Sequence, residues 1–185
     1  HTIKGQPHNM PMLKKILDLG STLIDYEKMT DEQGRRVLFF GNYAGHAGLV
    51  DSLWAYGQRM KLLGVRTPFL KLRQAINYSN LTELKEDVKQ IGKEIETKGL
   101  PAETGPFICG FFGYGHVSQG AQEIYDLLPA VEVSASELAE TVEKGYYSLH
   151  RVYKVVFKEE DMVRPKGDFP FELEDYYRQP EKYYP

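Results

Sequence analysis

The sequence predicts an α/β fold with a mostly parallel sheet and helices on both faces. The first observation is a short apolar run at 107–112, which has the length of a buried strand. The second is a set of glycines, Gly113, Gly115 and Gly120, that follows this run. The third is a series of apolar residues at helical spacing in 117–128. Strand, glycine-rich turn and helix in this order open a βαβ unit, so we expect a Rossmann-like domain.

The glycine-rich turn is typical of a dinucleotide-binding site, with one departure. The usual pattern is G-x-G-x-x-G, and this chain has Ser118 in place of the third glycine, with Gly120 two residues later. Glycines let backbone amides approach a pyrophosphate, and the helix N-terminus that follows favours negative charge. A serine at a helix start can cap the helix or bond a phosphate. We therefore expect Gly113, Gly115, Ser118 and Gly120 to bind a cofactor; the alternative is a tight turn that binds nothing.

Before this turn, the periodicity predicts three helices and two strands. The helices are 11–19 (with Asn9 as its cap), 47–63 and 81–98, and the strands are 21–27 and 35–40. A run of small residues, 41–48, leads into the second helix. We interpret its glycines as a surface that lets this helix lie close to a neighbour, and a second nucleotide site there is the less favoured alternative.

After the turn, the sequence predicts the rest of the sheet and a tail. The strands are 130–133 and 152–157, with a helix at 136–144 between them. We expect 152–157 to be the third strand of the nucleotide-binding sheet and 158–168 to be a charged loop. The segment 169–185 is rich in tyrosine, proline and acidic residues. We expect it to be weakly structured and packed on the surface by its aromatic side chains.

The composition is that of a globular protein and argues against some partners. The chain has 185 residues, is 42% apolar and 26% charged, and carries a formal net charge of −3. A mildly acidic chain gives no reason to expect nucleic acid or an anionic membrane as a partner. No apolar run approaches the roughly 18 residues of a transmembrane helix. The single cysteine, Cys109, lies in the predicted strand, where packing is its expected role, and no metal site is predicted.

Four motifs occur in order and carry a family resemblance. They are His1-Thr-Ile-Lys-Gly-Gln6, the Gly-Arg-Arg-Val-Leu-Phe-Phe-Gly stretch 34–41, the small-residue run 43–48 and the glycine turn 113–121. Together they resemble the lysine–2-oxoglutarate reductase part of the bifunctional α-aminoadipic semialdehyde synthases. More distantly they resemble the lysine-forming saccharopine dehydrogenases and the alanine dehydrogenases. The resemblance extends over most of the chain.

The resemblance implies a reaction and a set of site residues. L-Lysine and 2-oxoglutarate would form an imine, and NADP(H) would deliver hydride to give saccharopine. His1 matches the acid/base histidine of the family. The substrate-binding matches are Gln6, Arg36 and Phe40, and the cofactor-binding matches are Arg35, Gly115 and His116. The lysine that partners the histidine in the family lies upstream of this chain, so we expect the chain alone to be inactive.

The residue after the second strand of the nucleotide unit is expected to determine cofactor choice. An Asp or Glu there favours NAD(H), because it bonds the ribose 2′-hydroxyl. A simple alignment places Ser134 at this position, which leaves room for a 2′-phosphate and favours NADP(H) over NAD(H). Glu132 would reach the site if the alignment slipped by two residues.

The resemblance also implies a domain plan. Residues 1–30 would end a preceding, alanine dehydrogenase-like domain, 31–168 would form the Rossmann-like nucleotide-binding domain, and 169–185 the aromatic and acidic tail. We expect an excised piece of an intracellular parent, cytoplasmic or from an organellar matrix, mitochondrial if the parent is the bifunctional synthase. Its partners would be the missing domains of the parent and, through exposed sheet edges, a second copy of itself. The alternatives are an NAD(P)-binding module without catalysis, a part of an NAD-dependent lysine-forming saccharopine dehydrogenase, and a scaffold that binds nothing.

Overall fold

The computed structural model describes residues 5–185, so the predicted catalytic residue His1 lies outside the described residues. The chain divides into two compact units, His1–Phe40 and Gly41–Pro185. None of the helices within 5–185 is long and apolar enough to cross a membrane.

Within its described residues, the first unit contains one α-helix and short 3-10 turns. Helix α1 spans Met10–Asp18, which confirms the predicted helix. Asn9 precedes it but makes no side-chain cap, since its amide nitrogen donates to the side-chain oxygen of Gln6 at 3.1 Å. The prediction of Asn9 as a cap is therefore wrong. No residue of this unit is buried within the part that the structure describes.

The two strands predicted at 21–27 and 35–40 do not form. The first segment is irregular apart from a short 3-10 turn, Tyr26–Lys28. The second makes one isolated bridge, between Thr30 and Arg36. Alternating side chains are not sufficient for a strand, because its N–H and C=O groups need a neighbouring strand. Neither segment has such a neighbour within the described residues of this unit.

The second unit holds the sheet and the remaining helices. The helices are α2 Gly41–Leu62, α3 Leu81–Lys98, α4 His116–Tyr125, α5 Ala135–Glu143, α6 Glu159–Met162 and α7 Leu173–Arg178. The strands are β1 Ile108–Phe112, β2 Ala130–Glu132, β3 Val152–Phe157, β4 Arg164–Pro165 and β5 Tyr183–Tyr184. This confirms the predicted α/β class and the three strands of the sheet.

The main sheet is parallel, in the order β1-β3-β2. β3 is the central strand, and the register pairs Phe112 with Phe157 on one side and Glu132 with Lys154 on the other. Helix α4 contacts β1, and α5 and α6 contact β3. The architecture is therefore Rossmann-like, but β1 and β2 are not neighbours.

Helix α2 begins at Gly41, inside the run of small residues, and not at the predicted position 47. Its first half crosses α4 at close range. A Cβ on Gly45 would lie 2.6 Å from the Ala121 nitrogen, and one on Gly120 would lie 2.6 Å from the Cα of Asn42. The interpretation of these glycines as a packing surface is confirmed for Gly45, because any larger side chain there would force the helices apart.

The hydrophobic core lies between α2, α3, α4 and the sheet. Its buried residues are Leu49, Val50, Leu53, Phe69, Leu72, Leu84, Val88, Ile91, Ile95, Leu100, Phe111, Ile124, Tyr125, Leu128 and Val152. One cation, Lys154, is also buried in the central strand, 2.9 Å from Asp126 and 3.0 Å from Glu132. Burial opposes the charge of Lys154, but hydrogen bonds to these two carboxylates outweigh it and raise its pKa.

The C-terminal segment is more ordered than predicted. The expected loop 158–168 contains α6 and β4, and the expected tail contains α7 and β5, which pairs antiparallel with β4. Tyr183 is buried among the rings of Phe169, Phe171 and Tyr176. The prediction of aromatic packing is confirmed, whereas the prediction of weak structure is wrong, because this cluster holds the segment together.

Candidate functional site

The glycine turn lies at the carboxyl end of β1 and leads directly into α4. Gly113 has φ of +98°, which side chains rarely adopt, and its N–H donates to the carbonyl of Phe157 at 2.9 Å. Gly115 is the N-cap of α4, and its carbonyl accepts from the N–H of Gln119 at 2.9 Å. The turn is therefore hydrogen-bonded to the central strand through Gly113 and to α4 through Gly115.

Gly115 is a glycine that the fold itself does not require. Its φ of −71° and ψ of −179° suit any residue, and a Cβ built on it meets no atom within 4 Å. The backbone is therefore open on this side, at the start of a ten-residue helix. Helix N-termini carry N–H groups without intrahelical acceptors and a positive partial charge, so the turn fits an anionic group such as a pyrophosphate.

The other residues predicted in the turn have different surroundings. Gly120 is buried against Asn42 of α2, so the crossing of the two helices requires its missing side chain. This reason differs from the cofactor contact that the sequence predicted for Gly120. The hydroxyl of Ser118 accepts from the side chain of Gln122 at 3.0 Å. His116 opens α4, and its Cβ lies close to where a Cβ on Gly41 would be.

Ser134 lies farther from the glycine turn than the simple alignment assumed. That alignment takes the strand after α4 to be the neighbour of β1, but β3 stands between them. The Ser134 side chain caps α5: its hydroxyl donates to Glu137 at 2.6 Å and accepts from the N–H of the same residue at 3.3 Å. Glu132, the alternative, is paired with buried Lys154. In this strand order the end of β2 is not the position next to the glycine turn, and the role of Ser134 in cofactor choice stays a prediction.

An acidic residue from the end of β3 lies beside the turn. Glu159 accepts a hydrogen bond from the Tyr177 hydroxyl of α7 and interacts with the hydroxyl of Tyr114, the middle residue of the turn. The hydrogen bond from Tyr177 first, then the backbone N–H of Glu159 and the interaction with Tyr114, lower the pKa of Glu159. The same hydrogen bond raises the pKa of Tyr177 to about 12. We call these three side chains, Tyr114, Glu159 and Tyr177, the tyrosine–glutamate clasp; it connects the turn to the C-terminal segment.

The crossing of α2 and α4 carries a second polar cluster. The Nε2 atom of buried His46 lies 2.7 Å from a carboxylate oxygen of Glu123, and Lys85 of α3 pairs with the other oxygen. Lys85 first, and His46 second, lower the pKa of Glu123. This position between two helices indicates a structural role for His46.

The predicted substrate residues that the structure describes and the predicted cofactor residue Arg35 lie in the first unit. The guanidinium of Arg35 donates to Asp31 at 2.8 Å, and that of Arg36 donates to the carbonyl of Leu38 at 3.2 Å. Phe40 is 60% exposed and meets the ring of Tyr26 edge-on. The structure thus places these residues on the surface of their unit, together with Gln6.

The sequence analysis assigned Lys158 and Glu159 to a charged loop, whereas the structure places them at the end of β3 and the start of α6, beside the glycine turn. The sequence signal was their position directly after the strand 152–157, but this signal is informative only when the strand order is known.

Burial raises the pKa of Cys109 to about 11, which supports a packing role for this thiol. Within residues 5–185 no group of three metal-ligating side chains is assembled. A cavity of about 630 Å³ beside α3 has Lys71 and Lys98 on its wall, and Glu94 pairs with both.

Comparisons with known proteins extend over the whole chain. No family model matches it. The α-aminoadipic semialdehyde synthase of Arabidopsis thaliana is 44% identical over 195 residues, which cover 100% of this chain and 18% of that protein. The mitochondrial α-aminoadipic semialdehyde synthase of Rattus norvegicus is 39% identical over 183 residues, which cover 99% of this chain and 20% of that protein.

A saccharopine dehydrogenase (NAD+, L-lysine-forming) of Neurospora crassa is 36% identical over 122 residues, which cover 64% of this chain and 31% of that protein. The chain thus spans about a fifth of the length of the synthases that it matches. Because two of these relatives align with essentially all of its residues, the chain belongs to the α-aminoadipic semialdehyde synthase family.

Proposed function

We propose that the glycine turn binds the pyrophosphate of a pyridine nucleotide. Gly115 carries this proposal, because neither its backbone angles nor its neighbours require glycine, and a close ligand would. Gly113 supplies the tight turn, and the start of α4 supplies N–H groups and partial positive charge. NADP(H) is the proposed cofactor, with NAD(H) as the weaker ligand.

We propose further that the chain is the nucleotide-binding part of an enzyme of lysine degradation. The reaction is the reductive condensation of L-lysine and 2-oxoglutarate to saccharopine, with hydride delivered by the cofactor. The names of the relatives support this proposal, since they include α-aminoadipic semialdehyde synthase and L-lysine-forming saccharopine dehydrogenase. The name of the rat relative supports a mitochondrial location for the parent.

The roles of the remaining residues are proposed from the motifs that match the family. His1 acts as acid/base, Gln6, Arg36 and Phe40 contact substrate, and Arg35 contacts the cofactor. A cationic guanidinium suits the carboxylates of 2-oxoglutarate and saccharopine, because it bonds them in a fixed fork geometry. The chain spans about a fifth of the synthases, so we expect it to bind nucleotide without turning over substrate.

The first experiment tests the cofactor site on this chain by fluorescence titration with NADPH and NADH. We expect saturable binding of both and tighter binding of NADPH, by about tenfold or roughly 1.4 kcal/mol. Adenosine, which lacks the pyrophosphate, serves as the matched ligand control and is expected to bind at least about tenfold more weakly. Equal binding of adenosine and NADPH, or no binding of either nucleotide, would refute the pyrophosphate site.

The second experiment separates the binding module from the enzyme. NADPH oxidation is followed in the presence of L-lysine and 2-oxoglutarate, for this chain and for a full-length parent that contains it. We expect turnover with the parent alone, and no oxidation when either substrate is omitted. Turnover by the isolated chain would contradict its role as a binding module. A parent that binds NADPH but never consumes it with these substrates would contradict the proposed reaction.

A further inference from the structure

We infer that Lys158, the residue directly after β3, sets the preference of the site for NADP(H) over NAD(H). The inference rests on the proposed function, because it assumes that the glycine turn holds the pyrophosphate. Lys158 lies outside the four motifs that carry the family resemblance.

The strand order determines which residue lies next to the glycine turn. In a dinucleotide-binding unit, the ribose next to adenine is read at the carboxyl end of the strand beside the glycine strand. Here the neighbour of β1 is β3, and not β2. Phe112 is paired with Phe157, so the next residues, Gly113 and Lys158, lie at the same level of the sheet. The bond from the Gly113 N–H to the Phe157 carbonyl, at 2.9 Å, extends this alignment to the turn.

Lys158 is also closer than Ser134 to the glycine turn, as measured across the strands of the sheet. Lys158 is one strand away from the glycine turn, about 4.8 Å, whereas Ser134 follows β2, two strands or roughly 10 Å away. The register of β2 also ends lower, because Glu132 is paired with Lys154. A ribose attached to a pyrophosphate at the turn would therefore meet the end of β3 before it met Ser134.

The surroundings of Lys158 also support the inference. Lys158 lines two cavities at this edge of the sheet, one of about 520 Å³ shared with Ser134 and one of about 340 Å³ shared with Tyr114. Within residues 5–185 its ammonium makes no hydrogen bond or ion pair, while its backbone N–H donates to Asp161 at 2.9 Å. An exposed ammonium beside these cavities can form a charge-assisted hydrogen bond to a 2′-phosphate, and it gains less from the uncharged 2′-hydroxyl of NAD(H).

The carboxylates nearby limit the size of the effect. Glu132 is paired with Lys154, and Asp161 is engaged by the backbone of Lys158, but Glu160 lines both cavities. One cation beside an unengaged carboxylate gives a modest preference. We therefore expect Lys158 to account for about a tenfold difference in affinity, or roughly 1.4 kcal/mol.

The experiment titrates NADPH and NADH against the chain and three variants, Lys158→Met, Lys158→Arg and Ser134→Ala. We expect Lys158→Met to weaken NADPH about tenfold and to change NADH by less than about twofold. Lys158→Arg keeps the charge and should preserve the NADPH affinity. Ser134→Ala should leave the ratio of the two affinities unchanged, and circular dichroism confirms that each variant is folded.

Three results would overturn the inference. If both nucleotides bind and Lys158→Met leaves their ratio unchanged, Lys158 does not read the 2′-phosphate and the pyrophosphate site survives. If Ser134→Ala changes the ratio more than Lys158→Met does, selection lies at the end of β2. If the unmodified chain binds neither nucleotide, the proposed function fails and this inference fails with it.

Discussion

Two pairs of glycines near the start of α4 differ in what surrounds them. Gly45 and Gly120 lie where α2 and α4 cross, and a Cβ on either would overlap the backbone of the other helix. Gly113 and Gly115 form the turn after β1, and a Cβ on either would meet no atom within 4 Å. The first pair is required by packing, whereas the second leaves open backbone at the edge of the sheet.

This difference shows how a glycine kept for the fold can be distinguished from one kept for a ligand. A glycine required by packing affects stability when it is replaced, because close-packed backbones have no room to yield. A glycine with open space and ordinary φ affects what the backbone can bind. Gly113 lies between these cases, because its space is open but its φ is positive.

The largest loss of stability is expected for Gly120→Ala. Its Cβ would lie within 2.6 Å of Asn42 Cα, so α2 and α4 must separate, at a cost of about 3 kcal/mol in the free energy of unfolding. Urea denaturation followed by circular dichroism measures this cost. Gly48→Ala in α2 is the matched control: a Cβ there meets nothing, and we expect a gain of about 0.5–1 kcal/mol. Equal stability of the two variants would show that the crossing is not close.

The next loss is expected for Gly113→Ala, at about 1–2 kcal/mol, because φ of +98° is strained for any residue with a side chain. The matched control is Gly64→Ala, which has φ of +83° and equally open space. Both variants should lose similar stability in urea, but Gly113→Ala alone should also weaken NADPH. A Gly113→Ala variant as stable as the unmodified chain would mean that the turn adopts another conformation.

The sequence predicted the strands of the sheet but not their order. The three strands of the sheet and the helices α3 and α5 follow from local periodicity, and the structure confirms them. Strand order cannot be read from local patterns, because it depends on which strands pair at long range. Strand order therefore decides whether the end of β2 or the end of β3 lies next to the glycine turn, and local patterns do not contain this information.

The strand predictions for the first unit were wrong for a related reason, because a strand depends on a long-range partner. Segments 21–27 and 35–40 have strand-like patterns, but no partner strand satisfies their backbone within the described residues of that unit. The pattern of small residues at 41–48 has the same ambiguity, because glycines that permit close helix packing and glycines that precede a nucleotide site look alike in sequence. The structure separates them by what a Cβ would touch.

A smaller, pH-dependent loss of stability is expected from Glu123, which pairs with His46 and Lys85 at the crossing of α2 and α4. Lys85 and His46 hold the pKa of Glu123 below its usual value, so its contribution is complete above the unfolded-state pKa and is lost as pH falls through the lower folded-state pKa. The loss should be about 1 kcal/mol at most, because Glu123 is about half exposed.

The measurement is the urea midpoint between about pH 5 and pH 3, for the unmodified chain and for Glu123→Gln. The unmodified chain should lose more stability on acidification than the variant, because the variant has no carboxylate to protonate at this position. Parallel pH profiles for the two proteins would show that the cluster does not stabilise the crossing.

The smallest change in stability is expected for Gly115→Ala, together with a large change in binding. Alanine is a poorer N-cap than glycine, but it restricts the unfolded chain, and these effects should cancel to within about 0.5 kcal/mol. The added methyl group would project into the open space beside the turn, where the pyrophosphate must approach the backbone. NADPH affinity should therefore fall at least about tenfold while the urea midpoint stays unchanged. Unchanged NADPH binding in a folded variant would mean that the open side of Gly115 faces no ligand, and the turn would then belong with the glycines kept for the fold.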